Sequence, residues 1–138
     1  MSVQSYEVVP IGWVESPLVQ RGQAPRQGDE GSPDCWLAFR PELADAMRDI
    51  HVGDEMLVLT WLHEADRSVL RTRPRDDPDR SMISVFKTRS PDRPNPIGLH
   101  RVEIVGMEGF RLRVRGLEAI NGTPVIDVKP VLRPGEER

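Results

Sequence analysis

Apolar and polar residues alternate in short blocks along most of the chain, and helical spacing occurs once. Tyr6 to Val14, with Val8, Ile11, Trp13 and Val14, reads as a first strand, and Cys35 to Phe39 as a second. Glu55 to His63 carries a dense apolar run and predicts a central strand. Further strands are predicted at Ser68 to Thr72, Ser81 to Thr88 and Thr123 to Val128. Gly98 to Met107 and Phe110 to Arg115 predict a hairpin about Glu108 and Gly109. In its second arm Leu112 and Val114 alternate with Arg111, Arg113 and Arg115, a period of two that puts one face in and one out. Pro41 to Ile50 is the one helical stretch: Pro41 suits the first turn, and Leu43, Ala46, Met47 and Ile50 share a face.

About eight short strands joined mostly by short turns, with a single helix, predict an all-β or β-rich α+β fold. The expected architecture is a small antiparallel β-barrel with one short helix. A doubly wound fold is excluded because helices do not alternate with strands. No Gly-x-Gly-x-x-Gly follows a strand, and no Walker-type phosphate loop is present. Glu15 to Asp34 is rich in glycine and proline, and a loop of that length in a small domain is usually functional.

The 138 residues suit one domain, expected to span residues 1–138. The longest aliphatic run, Met56 to Leu59, is far too short to cross a bilayer, and Met1 to Pro10 does not read as a signal peptide. A lone cysteine, Cys35, forbids an internal disulfide, so the expected compartment is the cytoplasm. It lies beside Trp36 and Leu37 and reads as a buried strand residue. His51, His63 and His100 show no metal-ligand spacing with it, and no metal is expected. The net charge of −3 argues against coating nucleic acid by bulk charge. Yet 17 of the 19 cations are arginines, whose planar fork suits carboxylates and phosphates, although a GC-rich genome also favours arginine. Trp13, Trp36 and Trp61 lie within strand patterns and are expected in the core.

The richest candidate chemistry lies in Thr88-Arg89-Ser90-Pro91-Asp92-Arg93-Pro94-Asn95-Pro96-Ile97-Gly98. Three prolines within six residues make a stiff scaffold, because each fixes φ and holds its neighbour extended. Arg89, Arg93 and Asn95 are then presented at low entropic cost, or else the segment is a rigid connector with solvated arginines. Two further segments stand out, Pro25-Arg26-Gln27 and the run from Asn121 to Pro130.

These segments resemble the TsaA-like family, which includes bacterial tRNA methyltransferases acting on threonylcarbamoyl-adenosine beside the anticodon. The pattern Thr-Arg-Ser-x-x-Arg-Pro-Asn-x-Ile-Gly is complete, as is Gly-Thr-Pro-x-x-Asp-x-Lys-Pro at Gly122 to Pro130. The family opening, Ile-Gly-x-x-x-Ser-Pro, lies at Ile11 to Pro17. The resemblance implies a β-barrel that binds S-adenosyl-L-methionine (SAM) without a Rossmann sheet, as a homodimer with the cofactor near the subunit interface. Carried over by position, the cofactor residues it implies are Pro25, Arg26, Gln27, His63, Glu64, Arg89, Leu99, Gly116, Leu117 and Glu118.

An arginine can clamp the SAM carboxylate bidentately, a glutamate can take its ammonium or ribose, and leucines can flank the adenine. The chain departs from the family pattern at Glu64, His100, Glu118, Asn121 and Val131. The resemblance further implies methyl transfer to a tRNA adenosine, with a small-molecule methyltransferase or a non-catalytic SAM-binding module as alternatives. An exocyclic purine nitrogen must shed a proton, and Asn95, Asp127 and His63 are candidate hydrogen-bond acceptors for its N–H. No catalytic residue is assigned. The arginines of Phe110 to Arg115 form a stripe that either meets phosphates or is simply solvated.

Overall fold

The structure, a computed structural model, describes residues 2–17, 34–74 and 77–136. Its strands are β1 (Gly12–Glu15), β2 (Cys35–Phe39), β3 (Glu55–Trp61), β4 (Arg71–Thr72), β5 (Ile83–Ser84), β6 (Ile97–Glu108), β7 (Arg111–Arg115) and β8 (Pro124–Pro130). Six of them form one antiparallel barrel in the order β1-β2-β7-β6-β3-β8, closed by a short seam in which Gly12 and Trp13 pair with Val125 and Pro124. β4 and β5 form a separate two-stranded ribbon in the long excursion between β3 and β6. The small antiparallel β fold expected from the alternation is therefore the fold observed.

The period of two does the sorting. Val14, Leu37, Val58, Val102, Ile104, Leu112, Val114 and Val125 all point inward and are buried. Removing each such side chain from water contributes roughly 1.5–3 kcal/mol before entropy is counted. The predicted hairpin is present as β6 and β7, with Glu108 opposite Arg111. Cys35 is buried in the core, and desolvation pushes its thiol pKa up.

Several local expectations are corrected. The predicted helix is a kinked 3-10 helix over Pro41–Met47, broken at Leu43 and with none of its residues buried. Two turns with no buried face give an α-helix little to propagate on; only Met47 and Ile50 lean on the core. The first strand begins at Gly12 rather than Tyr6, because Gly12 already faces Phe39 and Val125, the ends of its partners' pairing. Ser68 to Thr72 contributes only Arg71–Thr72, and Ser81 to Thr88 splits into Ile83–Ser84 and a 3-10 turn, Val85–Lys87. The tryptophans are not core residues. Trp13 is 42% exposed, Trp36 carries the Arg111 guanidinium 4.2 Å above its ring, and Trp61 carries that of Arg67 at 5.1 Å.

Candidate functional site at one end of the barrel

Antiparallel pairing brings the ends of β1, β3 and β7 and the beginnings of β2, β6 and β8 to the same end of the barrel. The register there runs Glu15 to Trp36, Cys35 to Val114, Trp61 to Ile97 and Thr60 to Val125. His63 and Glu64 follow β3 at this end, and Gly116, Leu117 and Glu118 follow β7. Arg89 precedes β6 and lies close enough to His100 to influence its titration. Leu99 is on the outer face of β6, 42% exposed and opposite Leu59. Seven of the ten expected cofactor residues thus converge on one end and its flank. Pro25, Arg26 and Gln27 lie outside the described residues.

The Thr-Arg-Ser loop is built by Arg93. Its Nη1 donates to the carbonyls of Thr88 at 2.9 Å and Ser90 at 3.0 Å, and its Nη2 donates to that of Val85 at 2.7 Å. Thr88 Oγ1 also donates to the Val85 carbonyl and accepts from the Ser90 amide. Both carbonyls flanking Arg89 are therefore fixed, while Arg89 itself is exposed. Among the described residues no carboxylate lies within ion-pair distance of it. Arg93 is consumed in the scaffold rather than presented, which corrects the reading that grouped it with Arg89.

Asn95 is also held. Arg67 donates through Nε to the Pro94 carbonyl at 2.7 Å and through Nη2 to Asn95 Oδ1 at 2.9 Å, while its guanidinium covers Trp61. The Asp66 amide donates to Asp92 Oδ1 at 2.8 Å, so the loop bearing His63 and Glu64 is stapled to the proline-rich loop. Asp127 is likewise occupied, accepting from the Val128 amide and pairing with Lys129 at 3.0 Å. Arg67 carries no motif spacing, and only the contact reveals it.

Inside the same end sits a polar pair. His100 and Thr60 are buried, with His100 Nε2 2.9 Å from Thr60 Oγ1. Burial, helped by the nearby Arg89 cation, lowers the His100 pKa to about 4, so the imidazole is neutral at pH 7. Gly98 leaves the room: a Cβ there would fall on Thr60 Oγ1 and lie 2.8 Å from His100 Nε2. Gly116 has φ 99, and a Cβ there would come within 3.0 Å of the Arg101 carbonyl, so glycine ends β7 where it abuts β6. Leu117 is fully buried and its carbonyl accepts from Cys35 Sγ at 3.6 Å. Its side chain belongs to the core, and only its backbone is offered at this position.

Arg89, Glu64 and Leu99 are exposed and Glu118 is half-buried, and together they suit a zwitterionic nucleoside. Arg89 matches a carboxylate, the Glu64 and Glu118 carboxylates match an ammonium or ribose hydroxyls, and Leu99 with Leu59 offers an apolar wall to a base. The arginine stripe of β7 is largely neutralised: Arg111 pairs with Glu15 at 2.8 Å, and Arg115 with Asp34 at 3.4 Å and Glu103 at 3.8 Å. Arg113 lacks a carboxylate partner among the described residues and lies near the Trp36 ring.

A fold of this kind, with its charged loops gathered at one end, is a small antiparallel β-barrel rather than a Rossmann fold. Residues 13–134 match the tRNA-methyltransferase O N-terminal domain family. A probable S-adenosyl-L-methionine-binding protein of Methanothermobacter thermautotrophicus is 45% identical over 130 residues, covering 94% of this chain and 93% of the relative. An S-adenosyl-L-methionine-binding protein of Archaeoglobus fulgidus is 44% identical, over 87% of this chain and 85% of that one. Two crystal structures of TrmO from Pseudomonas aeruginosa superpose with TM-scores of 0.75 and 0.73 at 27% and 28% identity. This chain spans 61% and 57% of those chains. The chain belongs to the tRNA-methyltransferase O family, matching its N-terminal domain. That family is one of SAM-dependent methyltransferases, and SAM is its cofactor.

Proposed function

We propose that this chain binds SAM at the polar end of the barrel and methylates the exocyclic nitrogen of threonylcarbamoyl-adenosine in the tRNA anticodon loop. The observation that carries the reading is the convergence of Arg89, His63, Glu64, Gly116 and Glu118 on one end of the barrel, with Arg89 set on a loop whose carbonyls Arg93 fixes. SAM supplies a methyl group already activated by the sulfonium. The protein's task is then mainly to align donor and acceptor and exclude water. Arg89 would hold the carboxylate and Leu99 would border the adenine; Pro25, Arg26 and Gln27 belong to the same expected set and lie outside the described residues. Of the three candidate acceptors for the N–H, Asn95 and Asp127 are engaged elsewhere. His63 is exposed and makes no hydrogen bond among the described residues, which leaves it as the candidate acceptor for the amine N–H in this reading.

The same reading includes a homodimer of single-domain cytoplasmic subunits. Its support is the outer face of β3 and β6, where Leu59 faces Leu99 and Trp61 faces Ile97, with Ile97 and Leu99 each 42% exposed. A second copy on that face would cover the apolar wall beside Leu99. Light scattering that gives a monomer mass at micromolar concentration refutes this part.

The deciding experiment is nucleoside mass spectrometry of tRNA carrying threonylcarbamoyl-adenosine after incubation with the protein and SAM. A new methylated adenosine is expected. SAM binding without that product points to a small-molecule acceptor or a non-catalytic SAM module. Arg89→Ala should weaken SAM at least about tenfold, since a charged hydrogen-bond partner is worth roughly 1.5–3 kcal/mol. Unchanged affinity removes Arg89 from the cofactor site.

A further inference from the structure

The excursion between β3 and β6 is the basic lobe of an acidic protein. From Arg71 to Arg89 the sequence holds six cations against three carboxylates, a net of +3, while the whole chain has −3. Five of those cations, Arg71, Arg73, Arg80, Lys87 and Arg89, are described and exposed. None of the five has a carboxylate within ion-pair distance among the described residues, whereas Arg40, Arg101, Arg111 and Arg115 each do. Among the described residues, Arg113 and Arg133 also lack a carboxylate partner, but each stands apart, and the cations without one gather on the β4–β5 ribbon and the turn that follows it.

That turn also presents an aromatic ring. Phe86 is 80% exposed, yet its backbone is firmly seated. Val85 before it is buried, and the Val85 carbonyl accepts from the Thr88 amide, Thr88 Oγ1 and Arg93 Nη2. The Phe86 amide donates to Ser84 Oγ at 3.1 Å. A large ring held in water on a rigid turn, between uncompensated cations, costs hydration free energy that no contact within the described residues offsets. Leu70 and Met82, exposed at 64% and 41%, extend the apolar area along the ribbon.

We propose that the β4–β5 ribbon and the Val85–Lys87 turn form the docking surface for RNA, with Phe86 stacking on an unpaired base and Lys87, Arg71 and Arg73 meeting the adjoining phosphates. Exposed aromatics among arginines and lysines suit single-stranded loops, because every base offers a π-face and each phosphate a charge. Arg89 lies three residues beyond Phe86, so a base seated there is next to the cofactor end. The proposal moves the RNA surface away from the β7 arginines, whose charge is mostly spent on Glu15, Asp34 and Glu103. It rests on the reading that the acceptor is a tRNA.

The test is fluorescence anisotropy of a labelled anticodon stem-loop RNA against the full chain, with SAM affinity measured in parallel by calorimetry. Phe86→Ala should weaken RNA binding about tenfold and leave SAM affinity unchanged, in line with typical base–aromatic stacking. Lys87→Glu should weaken it further at low salt and reduce the salt dependence, since a phosphate contact is lost. Arg113→Ala should change neither. Equal RNA affinity in the Phe86 and Lys87 variants overturns the proposal while leaving the tRNA reading intact. No RNA binding by the unaltered chain overturns both. Conversion of a dimer to a monomer by Phe86→Ala also overturns it, because the ring is then covered by a second copy.

Discussion

Replacing His100 with Gln should flatten the acid side of the protein's stability curve. The imidazole is buried, and its pKa is lowered to about 4 by desolvation first and by the Arg89 cation second. In the unfolded chain the same group titrates near 6.5. Between these values the unfolded state binds a proton that the folded state refuses, so unfolding gains as pH falls. The stability linked to His100 is complete above about pH 6.5 and is lost progressively as pH drops toward 4. Integrating that linkage from about pH 7.5 to about pH 5 gives a loss of roughly 2 kcal/mol, and the full shift corresponds to about 3 kcal/mol. Gln keeps an amide that can bond Thr60 Oγ1, now 2.9 Å from His100 Nε2, but it does not titrate. Urea melts of both proteins at several pH values measure the difference directly, and carboxylate titrations cancel in it. The variant should lose about 2 kcal/mol less than the parent over that interval. Parallel pH profiles would refute a neutral, buried His100.

Gly98→Ala should destabilise the fold by about 1–3 kcal/mol, because the new methyl falls on Thr60 Oγ1 beside His100; thermal melts check this. Arg93→Lys should weaken SAM binding about tenfold, since a point charge cannot reproduce three bonds to the Val85, Thr88 and Ser90 carbonyls. Calorimetry in an Arg89→Ala background should show no further effect if Arg93 acts through Arg89. Arg111→Ala should cost no more than about 1 kcal/mol by denaturant titration, because its partner Glu15 is itself largely exposed.

The barrel was legible because its signal is local. Leu112 and Val114 alternate with three arginines, and that period survives whatever the strand pairs with. Cys35 to Phe39 was readable to the residue for the same reason. Strand limits were less legible, since they depend on the partner: β1 stops where Phe39 and Val125 cease to face it. The tryptophans misled because an apolar ring fits the inner and outer positions of a strand equally well in sequence. Only register shows that Trp36 and Trp61 point outward, where arginines cover them. The candidate site was legible as motifs, but its internal division of labour was not. Nothing in the spacing distinguishes Leu99, half open to solvent, from Leu117, wholly in the core.

The arginines show why that division escapes the sequence. The chain has seventeen arginines with one side-chain chemistry, yet the fold puts the described ones to at least three different uses. Arg67 and Arg93 aim their forks at backbone carbonyls and a side-chain amide, where five fixed donors brace loops that have few donors of their own because they are rich in proline. Arg101, Arg111 and Arg115 answer carboxylates elsewhere on the barrel surface, which keeps that surface near neutral. Arg71, Arg73, Arg80 and Arg89 have no such answer among the described residues, and all lie in the excursion before β6. A cation's use is set by what the fold places within about 3 Å of it, which is a long-range property. Cations gathered without carboxylate partners in one lobe of a net-acidic chain would steer an anionic partner toward that lobe. The same excursion carries Arg89, so an anion drawn to the ribbon would arrive beside the end of the barrel that carries the proposed cofactor residues.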